Sequence, residues 1–225
     1  MKRVMAYVLL NVKSLLKDKL PFAWSVFLPL VMFYVEKDHM MKEQDLASWW
    51  IYMILCSYFY GVGLYALELK EAGCLRTIFS IYNSSIVFFM GNLITQIIFC
   101  MISLSIFNIA VFFVKPFSFI QLMKYSMILV FLCIPFAFLG FVFVLLKRIH
   151  ANTIRTLLSI TLFGMFMLLS IGTSYNTFNP MYYMSTILTN YTTKNIFVYA
   201  WVSLLSLILG AVGILQFDPN SNERR

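Results

Sequence analysis

The fold is decided by the segment 84–114, SSIVFFMGNLITQIIFCMISLSIFNIAVFFV, which carries no charged side chain. A helix that crosses a bilayer needs about 20 mostly apolar residues. An ionisable group inside the hydrocarbon is costly, so charges mark the points where such a chain meets water. The segment is long enough to cross, and it therefore predicts a membrane-spanning helix.

Similar stretches with almost no charged side chains recur along the chain. The predicted spans are residues 20–35, 46–67, 84–114, 124–146, 156–172 and 196–217. The composition agrees, because 61% hydrophobic residues and a mean hydropathy of +0.85 are not typical of a soluble domain. The sequence predicts an all-α membrane protein, with six transmembrane helices in a domain at residues 20–217.

Lys and Arg are distributed unevenly over the predicted loops. With the N-terminus inside, twelve of the seventeen basic residues lie on the cytoplasmic side and five lie outside. Loops rich in Lys and Arg stay in the cytoplasm. We therefore expect a multi-pass protein of the bacterial cell membrane with both termini, including the tail 218–225, in the cytoplasm. The net charge of +8 then contacts anionic membrane lipid and not nucleic acid, because no loop is long enough to form a folded basic surface.

The chain begins with a segment that is too polar to cross a membrane. Val4, Val8 and Val12 recur at helical spacing, with Asn11 and Lys13 on the other side. This pattern predicts an N-terminal interfacial amphipathic helix at residues 1–19, lying on the inner surface of the membrane. Its predicted end is Leu20-Pro21.

Two pairs of residues characterise the second predicted span. Trp49 and Trp50 stand at its start, where amphipathic rings are favoured at the headgroup level, so we expect them to be membrane anchors. Gly61 and Gly63 lie further along. They either let another helix approach closely or mark a flexible point.

The connection between the fifth and sixth spans is polar and too long for a plain turn. Asn179 is followed by Pro180, which is typical of a helix N-cap and the first helical residue. We expect a short outer helix that starts here and dips toward the membrane.

Several kinds of chemistry have no residues to carry them in this sequence. The spans lack the carboxylates or histidines that bind a coupling ion, and they lack the nucleophile or metal set of an intramembrane protease. The chain also lacks the G-x-x-x-x-G-K-[ST] motif that holds ATP. We therefore expect no catalytic residue, no metal site and no cofactor in this chain, and any driving energy must come from another subunit.

The segment 68–85, ELKEAGCLRTIFSIYNSS, lies between the second and third spans. Its spacing predicts a short amphipathic helix with Leu75, Ile78 and Phe79 on one face, and with Glu71 and Arg76 exposed for pairing. The alternative is an ordinary polar loop that solvates two helix ends.

This segment resembles the coupling region of the permease subunits of type-two ATP-binding-cassette exporters. The positions that carry the likeness are Glu68, Glu71, Gly73, Leu75, Arg76 and Gly91. An interfacial helix that leads into a span with an early proline, Pro29, is also similar, as is an outer re-entrant segment at about residues 173–195. Two positions depart from the family pattern. Asn92 stands where a basic residue often follows the glycine, and the proline usually found in the turn after the coupling helix is replaced near Tyr82.

The resemblance implies a half-transporter that pairs with a second permease copy or a paralogue, and with two cytoplasmic ATPase subunits that bind ATP and Mg. The segment 68–85 would be the cytoplasmic coupling helix, with Glu68, Glu71, Gly73, Leu75 and Arg76 as ATPase-coupling residues. The substrate would pass between the two permeases along the second and fifth spans. The candidate pathway residues are Tyr58, Tyr65, Asn92 and Gln96. For Asn92 and Gln96 a hydrogen bond to a neighbouring helix is the favoured alternative.

The uncharged spans, rich in Phe, Met and Tyr, favour an amphipathic substrate over a hydrated ion or a sugar. Chain length and small outer loops are similar to those of exporters of cytolytic or antimicrobial peptides, such as the phenol-soluble modulins. Efflux of drugs or of a lantibiotic and export of a lipid-linked polymer stay open. Outside the transporter class, a membrane scaffold is the alternative.

Overall fold

The structure is a computed structural model that describes residues 4–5, 7–9, 11–12, 19–81, 83–146, 149–171, 174–189 and 192–219. The helices are α1 (Lys19–Glu36), α2 (Ala47–Tyr58), α3 (Tyr65–Glu71), α4 (Cys74–Ile81), α5 (Ser85–Val114), α6 (Phe119–Leu132), α7 (Ile134–Phe141), α8 (Ala151–Ile171), α9 (Pro180–Thr189) and α10 (Thr193–Leu215). Short 3-10 turns lie at Lys37–His39, Glu43–Leu46, Val142–Leu145 and Ser174–Phe178, and a π-helical turn, Phe59–Leu64, joins α2 to α3. These ranges contain no strand, so the predicted all-α class is confirmed.

Five stretches of the described residues are long and apolar enough to cross a membrane. They are Glu43–Glu71, Ser85–Val114, Phe119–Leu145, Ala151–Leu169 and Thr193–Leu215, and they overlap the second to sixth predicted spans. Helix α1 covers the first predicted span but is not one of the five. Its 18 residues rise about 27 Å, slightly less than a hydrocarbon core of about 30 Å. The sixth crossing therefore stays a prediction.

Two prolines act differently from the prediction. The sequence predicts that the N-terminal helix ends at Leu20-Pro21, but both residues lie within the described helix α1. The sequence also predicts that Pro135 bends the fourth span without breaking it. The span is broken at Cys133, and Pro135 stands in the first turn of α7, because proline cannot donate the bond that would continue α6. Residues 13–18 of the predicted interfacial helix lie outside the described residues.

Helix α8 and helix α6 each begin five residues before the predicted span, at Ala151 and Phe119. The earlier start places Arg155 and Lys124 on the helices themselves, and both side chains are exposed. Long basic side chains near a helix end can extend toward the headgroups. A charge therefore marks the water boundary without marking the end of the helix.

The two glycines of the second span serve close packing. A Cβ at Gly63 would lie 2.0 Å from the carbonyl oxygen of Gly140, and a Cβ at Gly61 would lie 2.0 Å from Cδ of Gln96. Both glycines belong to the π-helical turn Phe59–Leu64. The close-approach interpretation is confirmed: Gly63 lets the backbone of the second span lie directly against that of α7, and Gly61 makes room for the Gln96 side chain of α5.

Trp49 and Trp50 are not membrane anchors, and that prediction is wrong. Both rings are buried in the bundle, with 1% and 0% of their surface exposed. Trp50 Nε1 donates to Asn108 Oδ1 at 2.8 Å, and Asn108 Nδ2 donates to Ser126 Oγ at 2.9 Å. The side-chain amide of Asn108 thus joins α2, α5 and α6. A polar group inside the bilayer is stabilised more by a hydrogen bond to protein than by contact with lipid.

The polar connection after α8 folds back into the bundle. Asn179 Oδ1 accepts a bond from Met181 N at 3.0 Å, which confirms the predicted N-cap of α9. The amide nitrogens of Asn179 and Asn176 donate to the carbonyl oxygens of Met165 and Leu168, at 2.7 and 3.0 Å. These bonds attach the connection to the last two turns of α8. Met184 is fully buried and lies 3.4 Å from Cys133, Sδ to Sγ, at the break between α6 and α7.

Candidate coupling site

Helix α4 is a short amphipathic helix docked against the bundle, as the sequence predicts. Only Ala72 and Gly73 separate it from α3, and Gly73 has φ +72°, a conformation that glycine adopts without steric cost. Leu75 and Phe79 are buried, whereas Arg76 and Thr77 are exposed. The alternative of an ordinary polar loop is therefore wrong. The predicted edge of the helix near Tyr82 lies outside the described residues.

An aromatic cluster holds α4 in place. The Phe79 ring lies 5.8 Å from Phe88 and 5.1 Å from Phe217, centroid to centroid. Phe141 extends the cluster, 5.5 Å from Phe217. These rings come from the start of α5, the end of α7 and the residues after α10, so α4 rests on three elements at one end of the bundle. Buried aromatic pairs add specific ring geometry to their hydrophobic contribution.

The charged residues beside α4 contact other parts of the same chain. Glu71 Oε1 accepts a bond from Ala151 N at 2.8 Å, and Glu68 forms an ion pair with Arg155. Lys70 is 4% exposed, and its Nζ donates to the carbonyl oxygen of Val144 at 3.0 Å. The prediction that Glu71 is exposed for pairing is corrected: its side chain is 31% exposed, because it caps the first turn of α8.

Gly91, the family-like glycine of the third span, lies under the N-terminal segment. A Cβ at this position would lie 2.9 Å from Cβ of Tyr7. Next to it, Asn11 Nδ2 donates to Asn92 Oδ1 at 2.7 Å. Burial raises the pKa of the Tyr7 hydroxyl. The described residues of the N-terminal segment are therefore attached to α5 by a close backbone approach and a buried amide pair.

The candidate pathway residues are largely enclosed within the chain. Tyr58, Asn92 and Gln96 are buried, and Tyr65 is half-buried. Tyr58 Oη donates to the carbonyl oxygen of Val130 at 2.9 Å. The favoured alternative for Asn92, a bond to another helical segment, agrees with its contact to Asn11. A role of these four residues in a pathway stays a prediction.

Helix α8 presents a polar stripe that sequence reasoning missed. Asn152, Thr156, Ser159 and Phe163 recur at spacings of four, three and four residues and are exposed, so they share one face of the helix. Tyr60, from the second span, lies beside the stripe with its Oη 2.8 Å from Ser159 Oγ. We call these four α8 residues the polar stripe. The helical spacing of its hydroxyls was a signal that could have been found in the sequence.

The described ranges hold no group of three or more His, Cys, Asp or Glu residues that could bind a metal ion. No family model, no curated protein and no solved structure matches the chain.

Proposed function

We propose that this chain is the permease half of an ATP-driven exporter. In this proposal two permease chains, either identical or paralogous, enclose the pathway, and separate ATPase subunits bind α4 from the cytoplasm. Both chain termini lie in the cytoplasm. The chain itself performs no catalysis, and ATP and Mg bind to the partner subunits.

The observation that carries the proposal is the exposure of α8. Of the five apolar stretches, Ala151–Leu169 is the least buried, with 22% of its apolar part buried, against 67% for the equally apolar Glu43–Glu71. Polar side chains in a membrane face protein or water more often than lipid. The polar stripe of this least buried span therefore suits the interface with a second permease, along which the pathway runs.

The other half of the proposal concerns α4. Leu75 and Phe79 form its buried face, and Arg76, Thr77 and Ser80 are exposed to the surroundings of the bundle, where the ATPase would bind. Glu68 and Glu71 already bind within the chain. We assign the direct ATPase contact to Arg76 because its side chain is exposed on α4, and a supporting role to the two glutamates because they attach the end of α3 to α8.

The substrate proposed is an amphipathic peptide. The polar stripe places Phe163 one turn from the Ser159 hydroxyl, and Tyr60 adds a further ring with a polar edge. Such a surface provides both apolar contact and hydrogen bonds. A hydrated inorganic ion would need charged or densely polar groups instead.

Arg76→Glu tests the proposal. We expect this change to lower ATP hydrolysis by the co-purified ATPase subunits about tenfold in lipid vesicles, because buried arginines at interfaces are often worth more than 1 kcal/mol. Added amphipathic peptide should raise the rate in the unmodified complex. Lys124→Glu is the matched control, since Lys124 is an exposed basic residue on α6. An unchanged rate in Arg76→Glu, or an equal loss in the control, would remove the assignment of α4.

A further inference from the structure

We propose that the inner turn of the second span is a mechanical link, through which a displacement of α4 moves the polar stripe of α8. The link consists of Glu68, Lys70 and Glu71. The inference rests on the proposed function in one respect, namely that α4 receives the ATPase. The connection between α4 and α8 itself is argued from contacts within the chain.

The first step is the short connection from α4 to the link. Helix α3 ends at Glu71 and α4 begins at Cys74, so two residues join them. The Ala72 amide nitrogen donates to the carbonyl oxygen of Glu68 at 2.9 Å, and the Gly73 amide nitrogen donates to that of Lys70 at 3.1 Å. Because these bonds close the turn, α4 cannot move far without moving the last turn of α3.

The second step is the attachment of that turn to α8. Glu71 binds the first amide of the helix, Ala151 N, at 2.8 Å, where the helix dipole favours a negative charge. His150 Nδ1 lies 3.9 Å from the same carboxylate oxygen. Glu68 adds its ion pair with Arg155, one turn further along α8. Ala151 and Ile154 are buried, so the carboxylates hold a helix end that is packed into the bundle.

The same turn of α3 is also attached to the end of the fourth span. Lys70 is buried and donates to the carbonyl oxygen of Val144, near the end of the fourth span. A cation is favoured at a helical C-terminus, where carbonyls lack helical partners. One helical turn thus binds the end of the fourth span and the beginning of the fifth. A displacement of this turn therefore moves the end of the fourth span and the beginning of the fifth. Its contacts with Ala151 and Arg155 transmit the displacement to α8.

The contacts of the link contribute different amounts of stabilisation. The Glu68–Arg155 pair is partly exposed, with 36% of the Glu68 side chain and 53% of the Arg155 side chain accessible, and exposed ion pairs contribute little. The cap from Glu71 and the buried Lys70 bond cost more to remove, because an N-cap carboxylate and a buried donor lose a partner that water replaces poorly. We therefore expect Glu71 to matter more than Glu68.

The test measures the distance between α4 and α8 directly. Spin labels are attached at Thr77 and Leu157, both exposed. Double electron–electron resonance then measures the distance between the two labels in lipid nanodiscs without an ATPase. Cys74 is replaced by Ser in every variant, because it is an exposed thiol. The unmodified link should give one narrow distance distribution. Glu71→Ala should raise the population outside that distribution about fivefold, and Glu68→Arg should raise it about two- to fivefold by placing two cations together.

The charge exchange provides the decisive control. Glu68→Arg combined with Arg155→Glu should restore the narrow distribution, because the ion pair is rebuilt in the opposite direction. A second label pair at Phe113 and Lys194, exposed positions away from the link, reports the global fold. If Glu68→Arg also broadens the distance distribution of this second label pair, Glu68→Gln is used as the test variant in its place. Unchanged widths in both Glu71→Ala and the Glu68 variant would overturn the link.

The outcomes separate the link from the proposed function. If the distances broaden as expected while Arg76→Glu leaves ATP hydrolysis unchanged, the link stands and the ATPase assignment fails. If the distances stay narrow while Arg76→Glu lowers hydrolysis, the ATPase assignment stands and the link is rejected.

Discussion

Gly63→Ala is expected to destabilise the protein strongly, although it adds only one methyl group. The new Cβ would lie 2.0 Å from the carbonyl oxygen of Gly140, and a backbone atom has no rotamer by which to move away. Overpacking a well-packed interior costs about 1–3 kcal/mol, and we expect the upper part of that range. The loss of stability is measured as a lower midpoint of thermal unfolding in detergent, taken from the fraction of protein that remains monodisperse after heating.

Gly164→Ala is the matched control for this change. It is also a helical glycine, on α8, but a Cβ there would have nothing within 4 Å. Alanine is favoured over glycine in a helix by about 1 kcal/mol, so the control should be neutral or slightly stabilising. Equal midpoints for the two variants would contradict the close approach of the second span to α7.

Phe79→Ala is expected to release α4 from the bundle. The ring is 6% exposed and packs against Phe88 and Phe217, so its truncation leaves a cavity in the aromatic cluster. Buried Phe→Ala changes cost about 3–5 kcal/mol, and 3 kcal/mol corresponds to about a hundredfold larger open population. The rate at which a thiol reagent labels a cysteine at Leu75 should rise by about that factor, since Leu75 is fully buried in the docked helix.

Ser80→Ala is the control for the release of α4, because Ser80 is exposed on the same helix. Cys74→Ser is included in both variants so that the adjacent thiol does not react. A labelling rate that rises equally in both variants, or in neither, would mean that Phe79 does not hold α4.

The helical class and the approximate positions of five crossings could be predicted from the sequence, because uncharged runs of about 20 residues have few structural alternatives. The buried face of α4 was also predictable, since Leu75, Ile78 and Phe79 have helical spacing. The N-cap at Asn179 followed from local backbone chemistry. These features depend on neighbours in the sequence.

The features that could not be predicted depend on long-range packing. Trp50 looks like an interfacial anchor until Asn108, 58 residues away, is found to accept its N–H. Glu71 looks exposed until the first turn of α8 is found beside it. In both cases the residue type indicated that a polar partner was required, but only the fold identified that partner.

Cysteine cross-linking in native membranes shows whether the polar stripe of α8 faces a second permease, as we propose. Thr156 lies on the stripe, and its neighbour Leu157, 63% exposed, points to the apolar side of the same helix. With Cys74→Ser in both variants, a cysteine at Thr156 should cross-link to a second permease chain. For an identical partner the product has twice the 26.2 kDa mass of one chain. A cysteine at Leu157 should stay uncross-linked. A Thr156→Cys variant that remains a single chain, or a Leu157→Cys variant that cross-links as readily, would contradict the account.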